Sequence, residues 1–235
     1  MGITKQYLRW IPSSMFGVIG SPIGNVIFIN QNENINRQLV AVAACEKVFI
    51  WNVKTGELVQ ILSDGNSQIT SLCAHNDNQI IVSGHQDGTI RIFDYKSGSL
   101  KVTFSGHKSA VNCVALSNDG MRLASGGKDT EIVIWDIVNE SGLFRLKGHK
   151  NGITKLQFMS SHDNIVISSS RDTFIKFWDL NTQHCFKTVT GHRSEVWSFS
   201  IFNDDNRLIS GAGDSELKVW DITFKDDDPD KFNEK

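Results

Sequence analysis

The segment SGGKDTEIVIWD at residues 125–136 holds side chains that could carry out acyl transfer. Ser125 could act as a nucleophile, His107 upstream could take its proton, and Asp129 could orient the imidazole. A hydrolase needs one such set around one oxyanion site. The alternative is that these polar side chains are internal parts of a fold and take no part in chemistry.

The same residue types return at nearly the same spacing in two further places, which a single active site does not require. The three sets are His107/Ser125/Asp129, His149/Ser168/Asp172 and His192/Ser210/Asp214. This triplication favours a structural role and predicts that the chain is not an enzyme. A Gly-rich phosphate loop, an H-E-x-x-H motif and a C-x-x-C motif are all missing from the sequence, so neither a cofactor nor a metal is expected.

A repeat organises the chain into five recognisable units. Their closing aromatic residues stand 42, 42, 43 and 42 positions apart and are Trp51, Phe93, Trp135, Trp178 and Trp220. Within the units, apolar residues recur with period two, and Gly, Asn, Asp and Ser separate the short runs. Four short strands in each unit, with turns between them, are typical of an all-β blade.

These landmarks resemble the WD-repeat family of β-propellers over about residues 38–221. The resemblance implies a radial array of four-stranded blades. It also implies one hydrogen-bonded network of His, Ser, Asp and Trp inside each of three blades. The residues of these structural networks are His107, Ser125, Asp129, Trp135, His149, Ser168, Asp172, Trp178, His192, Ser210, Asp214 and Trp220.

The second unit departs from the pattern in a coherent way. It keeps Ser83 and Asp87, but its closing aromatic is Phe93, which has no N–H to satisfy. Its Gly-His position reads Asp64-Gly65, so we expect this blade to lack the imidazole as well as the indole. The indole donor and the imidazole of the network are then lost together.

Composition excludes several classes of protein. The chain of 235 residues has a net charge of −2 and a hydrophobic share of 40%, which are ordinary for a globular protein. No apolar run reaches the ~18 residues of a membrane span, so no membrane partner is expected, and no small-molecule substrate is indicated. The four cysteines, Cys45, Cys73, Cys113 and Cys185, are widely spaced and are expected to be buried and reduced.

The domain limits follow from the repeat. Residues 1–222 are expected to form the propeller, in which 38–44 is a strand and 14–20 or 25–29 supplies another. Residues 1–14 are not assigned to a blade, and three interpretations are open for TKQYLRW at 4–10: it packs onto the ring as a strand, it reaches a partner, or it is a frayed terminus. Residues 223–235 read as an acidic tail or linker.

The fifth unit lacks a fourth strand in the sequence, so the closure of the ring is open to three interpretations. A larger ring of seven blades is favoured, because seven is the norm of the family that the repeat resembles. The alternatives are a five-bladed ring completed by an N-terminal strand and an open arc that borrows blades from a partner.

Several stretches point to a narrower resemblance within this family. They are residues 2–20, 44–57, 138–150, 181–197 and 214–222. They resemble the amino-terminal propeller of the nucleolar tandem-propeller subunits of the UTP-B complex, part of the small-subunit processome. That resemblance implies a non-enzymatic scaffold in ribosome biogenesis and 18S rRNA maturation. It also implies other processome WD-repeat proteins, pre-rRNA and small nucleolar RNA as partners, and a location in the nucleolus.

Basic residues recur beside the network residues and are candidates for binding. Lysine or arginine follows each of the three histidines and precedes two of the aspartates, at Lys108, Lys128, Lys150, Arg171 and Arg193. From residue 141 to 193 the charge balance is 8 − 3 = +5. Such an excess can hold nucleic-acid phosphates or an acidic protein segment. No aromatic residues are evident among these cations for base stacking, so RNA contact is expected through its backbone.

A generic WD-repeat adaptor, in signalling or as a substrate receptor of a ubiquitin ligase, is the alternative function. Such receptors often carry a basic residue two positions after the Trp-Asp pair. Here only WNVK at 51–54 and FDYK at 93–96 carry a basic residue near that position. Neither retains the Trp-Asp pair, because the first has Trp-Asn and the second Phe-Asp.

Overall fold

A computed structural model of the chain shows an all-β architecture. The residues that it describes are 17, 20–30, 38–75, 77 and 79–223. Nineteen strands within these ranges form five antiparallel sheets, and no helix there is long and apolar enough to cross a membrane. The predicted all-β class is therefore confirmed. The expectations for residues 1–14 and for the tail from 224 onward lie outside the described residues.

Each sheet is one blade, and successive strands of the chain pair side by side within it. Blade one contains β1 (Val26–Asn30), β2 (Gln38–Ala44), β3 (Lys47–Asn52) and β4 (Leu58–Ser63). Blade two contains β5 (Ile69–His75), β6 (Ile80–His85), β7 (Thr89–Asp94) and β8 (Leu100–Ser105). Blade three contains β9 (Val111–Leu116), β10 (Arg122–Gly127), β11 (Ile132–Asp136) and β12 (Ser141–Leu146).

The last two blades follow the same order. Blade four contains β13 (Ile153–Phe158), β14 (Ile165–Ser170), β15 (Ile175–Asp179) and β16 (His184–Val189). Blade five contains β17 (Val196–Phe202), β18 (Arg207–Ala212) and β19 (Leu217–Asp221), a three-stranded sheet within the described ranges. Strand β1 shows that segment 25–29 pairs with residues 38–44.

The hydrophobic cores lie between the blades and not within them. On β11, Ile132 and Ile134 pack toward blade four, while Val133 and Trp135 pack toward blade two. Side chains alternate between the two faces of a strand, so one short apolar run supplies two cores. Burying each such side chain contributes about 1.5–3 kcal/mol, which explains why the central strands are apolar on both faces.

Hydrogen bonds between neighbouring blades reinforce this packing at their inner edges, where the first strands of adjacent blades meet. In each case a side-chain donor reaches a backbone carbonyl of the next blade. The pairs are Ser21 Oγ with Ile69 O at 2.7 Å, Thr70 Oγ1 with Val111 O, Asn112 Nδ2 with Ile153 O at 2.9 Å, and Thr154 Oγ1 with Val196 O at 2.7 Å.

The cysteines differ from expectation in one respect. All four are free thiols, but only Cys113 is buried, and Cys45 is exposed because it lies in the tight turn between β2 and β3. The prediction that all four are buried is therefore wrong. Burial raises the pKa of the Cys113 thiol to about 12, which makes it unreactive at neutral pH.

Candidate functional site

In blade three the structure brings the four landmark residues into one chain of hydrogen bonds. Trp135 Nε1 donates to Ser125 Oγ at 2.8 Å, and His107 Nε2 lies 2.7 Å from the same oxygen. His107 Nδ1 lies 3.0 Å from a carboxylate oxygen of Asp129. The histidine comes from the loop before β9, the serine from the middle of β10, the aspartate from the β10–β11 turn, and the tryptophan from β11.

Blades four and five repeat this geometry closely. In blade four the distances are 2.8 Å for Trp178 Nε1 to Ser168 Oγ, 2.7 Å for His149 Nε2 to Ser168 Oγ and 2.8 Å for His149 Nδ1 to Asp172. In blade five they are 2.9 Å for Trp220 Nε1 to Ser210 Oγ, 2.7 Å for His192 Nε2 to Ser210 Oγ and 3.0 Å for His192 Nδ1 to Asp214.

The direction of these bonds follows from the carboxylate. An ionised aspartate can only accept, so the histidine donates from Nδ1. When the imidazole is neutral, Nε2 is then an acceptor, and the serine hydroxyl donates to it. Such an order of serine, histidine and aspartate also occurs in hydrolases. Here, however, Ser125 and Ser168 are 0% exposed, and each serine oxygen already accepts an indole N–H. A substrate carbonyl cannot reach these oxygens, so the arrangement suits a structural role.

Close contact with the indole ring explains why a glycine stands in each Gly-His pair. A Cβ atom added at Gly106 would lie 2.7 Å from Cη2 of Trp135, and one added at Gly191 would lie 2.7 Å from Cη2 of Trp220. Carbon atoms in proteins pack at about 3.5–4.0 Å, so any larger residue would push the indole away from its serine.

Each aspartate serves two parts of its blade. Asp172 Oδ1 accepts the backbone N–H of Phe174 at 3.1 Å, which shapes the β14–β15 turn, and Oδ2 accepts the N–H of Lys150 at 2.9 Å. In blade five, burial would raise the pKa of Asp214, but hydrogen bonds from His192, Arg193 N and Glu216 N outweigh it and lower the pKa to about 2. The Asp214 carboxylate therefore stays ionised at neutral pH, as its network requires.

Blade two corrects one prediction, because it does contain a buried imidazole. His85 lies two residues after Ser83 on β6, and its Nε2 is 2.9 Å from Ser83 Oγ. Its Nδ1 donates to the carbonyl of Ser67 at 3.0 Å instead of to a carboxylate. The guanidinium of Arg91 lies against Gly65, the residue that stands in blade two where His107 stands in blade three.

The surroundings of His85 predict a pH-dependent stability. Burial lowers the pKa of His85 from its ordinary 6.5, and the charge of Arg91 adds to this, although the Ser67 carbonyl acts in the opposite direction. Below about pH 6.5 the unfolded chain therefore binds more protons at this histidine than the folded chain does. The free energy of unfolding consequently decreases as the pH is lowered. We expect urea unfolding at pH 7.5 and 5.5 to show a larger loss in the wild type than in His85→Gln.

The matched control for that prediction is His184→Gln, which removes an exposed histidine of blade four. It should keep the wild-type difference between the two pH values. An equal difference in wild type and His85→Gln would show that His85 does not carry the effect.

The five predicted binding residues all lie at one end of the blades, on the surface that we call the basic face. All five side chains are exposed: Lys108, Lys128, Lys150, Arg171 and Arg193. The network aspartates hold them there, because three of these residues donate their backbone N–H to Asp129, Asp172 and Asp214 at 2.9–3.1 Å. The other two directly precede Asp129 and Asp172 in the same turns.

Ion pairs reduce the local positive charge that was counted from the sequence. Glu131, outside the counted window, binds both Arg145 at 2.8 Å and Lys147 at 3.0 Å. The balance of +5 therefore overstates the charge available to a ligand. Within the described ranges, none of the ion pairs involves a side chain of the basic face, and no group of His, Cys, Asp and Glu there is suited to a metal ion.

Comparison with known proteins gives the family. The model of the WDR3 first beta-propeller domain matches residues 38–222, more than half of the chain. The chain belongs to this family. The match confirms the WD-repeat propeller predicted from the repeat and the narrower resemblance to an amino-terminal propeller of this kind.

Individual relatives of this propeller agree with the family. It is 48% identical over 93 residues to WD repeat-containing protein 3 of Mus musculus, which covers 40% of the chain and 10% of that protein. It is 36% identical over 219 residues to U3 small nucleolar RNA-associated protein 12 of Saccharomyces cerevisiae, which covers 86% of the chain and 23% of that protein. The chain thus spans less than a quarter of the length of these curated relatives.

One feature of the propeller's basic face was missed from the sequence. The guanidinium of Arg171 lies 5.1 Å from the ring centroid of Trp197, a tryptophan of β17 that is 52% exposed. The expectation that no aromatic side chain stands among the cations is therefore wrong. A sequence signal existed, since Trp197 is the second residue of its strand, where Thr70, Asn112 and Thr154 stand in the preceding blades.

Proposed function

We propose that this chain is a non-enzymatic scaffold of ribosome biogenesis, located in the nucleolus. Its place would be the small-subunit processome, where 18S rRNA matures. The family match over residues 38–222 carries this proposal, and a relative named for association with the U3 small nucleolar RNA supports it. The partners are then other processome WD-repeat proteins, together with pre-rRNA or small nucleolar RNA.

The scaffold is a propeller over residues 1–222, joined to an acidic tail or linker at 223–235, and forms part of a ring of seven blades. Exposed apolar side chains support further blades beside blade five. On the side turned away from blade four, Leu217 is 76% exposed and Val219 is 56% exposed. In the inner blades, side chains of that kind are covered by a neighbour.

The His–Ser–Asp–Trp networks hold the blades of this scaffold together and take no part in catalysis. Burial of all three serines supports this role. Every buried polar group of the network then has a partner, which avoids the ~1–3 kcal/mol that an unpaired group would cost.

The basic face binds the phosphate backbone of RNA. Its side chains come from three adjacent blades, are exposed, and are not engaged in ion pairs with described residues. The neighbouring carboxylates of Asp129, Asp172 and Asp214 are already occupied by histidine and backbone N–H groups. A polyanion that approaches this surface therefore meets cations, and its contacts carry no sequence information.

Charge reversal on the basic face should weaken RNA binding. We expect Lys128→Glu and Lys150→Glu each to lower the affinity for a structured pre-rRNA fragment. The slope of log affinity against log salt should decrease by about one for each phosphate contact that is lost. Fluorescence anisotropy between 50 and 200 mM salt measures both quantities.

Lys96→Glu is the matched control, because Lys96 is an exposed lysine in the β7–β8 turn at the opposite end of the blades. It should leave the affinity close to that of the wild type. Equal effects from all three variants would show that the basic face has no special role. Capture of ubiquitin-ligase adaptors, with no RNA binding, would favour the adaptor function instead.

A further inference from the structure

The exposed Trp197 stands at a place where the preceding blades carry small polar residues. At this second position of the inner strand, Asn112 and Thr154 each donate to the following blade. Both nevertheless remain partly exposed although a following blade packs against them. Thr70 is buried at the same position of blade two. The position therefore reaches the surface beside a following blade in two of the three preceding blades, and an indole there is larger than any of these three side chains.

The surroundings of Trp197 belong to the basic face. Arg171 of blade four places its guanidinium 5.1 Å from the indole centroid, which is within the range of a cation–π contact. A Cβ atom added at Gly213 would lie 3.5 Å from Trp197 Nε1 and 2.8 Å from Ser194 Oγ. The indole is therefore next to the turn before Asp214 and close to the loop that carries Arg193.

Two chemical properties meet at this point. About half of the Trp197 side chain remains accessible with the guanidinium in place, since it is 52% exposed. Flat π surfaces of this kind stack on nucleobases regardless of base identity, and an arginine beside them adds a cation–π contribution. The basic face also carries Lys150 in blade four and Arg193 in blade five, which are suited to the phosphates that flank a base.

We propose that Trp197 and Arg171 form a stacking site for an unpaired base of RNA. This inference rests on the proposed RNA-binding function of the basic face and deepens it. Bases in a duplex are already stacked on their neighbours, so the site selects single-stranded RNA over duplex RNA. The lysines of the face, in contrast, hold phosphates of either form.

The test compares two RNA probes of equal length, an unstructured 12-nucleotide oligouridine and a 12-base-pair RNA duplex. We expect Trp197→Ala to bind the single strand about tenfold more weakly and the duplex as the wild type does. Trp197→Phe should retain most of the single-strand affinity, because a benzyl ring still stacks. Phe202→Ala, which removes an exposed aromatic from the same strand, should change neither affinity.

Each other outcome has a clear meaning. If Lys150→Glu weakens both probes and Trp197→Ala weakens neither, the stacking site is wrong while the RNA-binding function stands. If the wild type binds neither probe, the RNA-binding function fails, and the stacking site fails with it. If Trp197→Ala weakens both probes equally and also lowers the melting temperature, Trp197 is a structural residue between blades, and the stacking site is overturned.

Discussion

Replacing Trp178 by alanine is expected to lower the free energy of unfolding by about 3–5 kcal/mol. Trp178 is 1% exposed and lies in the core between blades three and four. The substitution removes the packing of the indole and leaves a cavity that the rigid sheets cannot close. It also takes one hydrogen bond from Ser168 Oγ. Urea denaturation at neutral pH measures the loss.

Trp220→Ala is the matched control, because it changes the same residue of the same network in blade five. There the indole is only partly buried, so part of its surface is already in water in the folded chain. The expected loss is smaller, about 1–3 kcal/mol. Equal losses at the two positions would show that burial between blades does not decide the cost.

The second large effect is expected for Ser125→Ala, which should destabilise the chain by about 2–4 kcal/mol. Alanine leaves two buried groups without their partner, the indole N–H of Trp135 and Nε2 of His107. Ser83→Ala in blade two is the comparison, because there only the His85 imidazole loses its partner and the neighbouring aromatic is Phe93. That variant should lose about 1–2 kcal/mol.

An activity measurement separates the structural role of Ser125 from a catalytic one. Hydrolysis of an activated ester by the wild type should not exceed the background reaction, and Ser125→Ala should leave the rate unchanged. A turnover that disappears in Ser125→Ala while the melting temperature stays constant would show instead that the set is a catalytic triad.

The repeat explains why so much of the fold could be predicted. Serine, aspartate and tryptophan of one network lie within about ten residues on two paired strands and their turn, as Ser125, Asp129 and Trp135 show. Their relation is local, so it recurs in the sequence at fixed intervals. The histidine enters the network from the loop before the first strand of the blade. Because the units have a nearly constant length, this histidine also recurs at a regular interval in the sequence.

The features that were missed depend on contacts or positions outside the pattern. His85 enters the network from a different strand position, although its spacing of two from Ser83 places both on one face of β6. Glu131 lies outside the segment in which charges were counted, yet the sheet brings it to Arg145 and Lys147. The contact of Arg171 with Trp197 crosses from one blade to the next, so the spacing within one unit does not predict it. The sequence shows only that a tryptophan replaces the small polar residue of the preceding blades at this position.

The location of the cores between blades also determines how the molecule responds to damage. No described blade has a core of its own, since each of the four clusters draws its side chains from two neighbours. Loss of one inner blade therefore exposes two cores at once. The stability of the array follows nearest-neighbour coupling, and a change in blade three spreads to blades two and four before any distant blade responds.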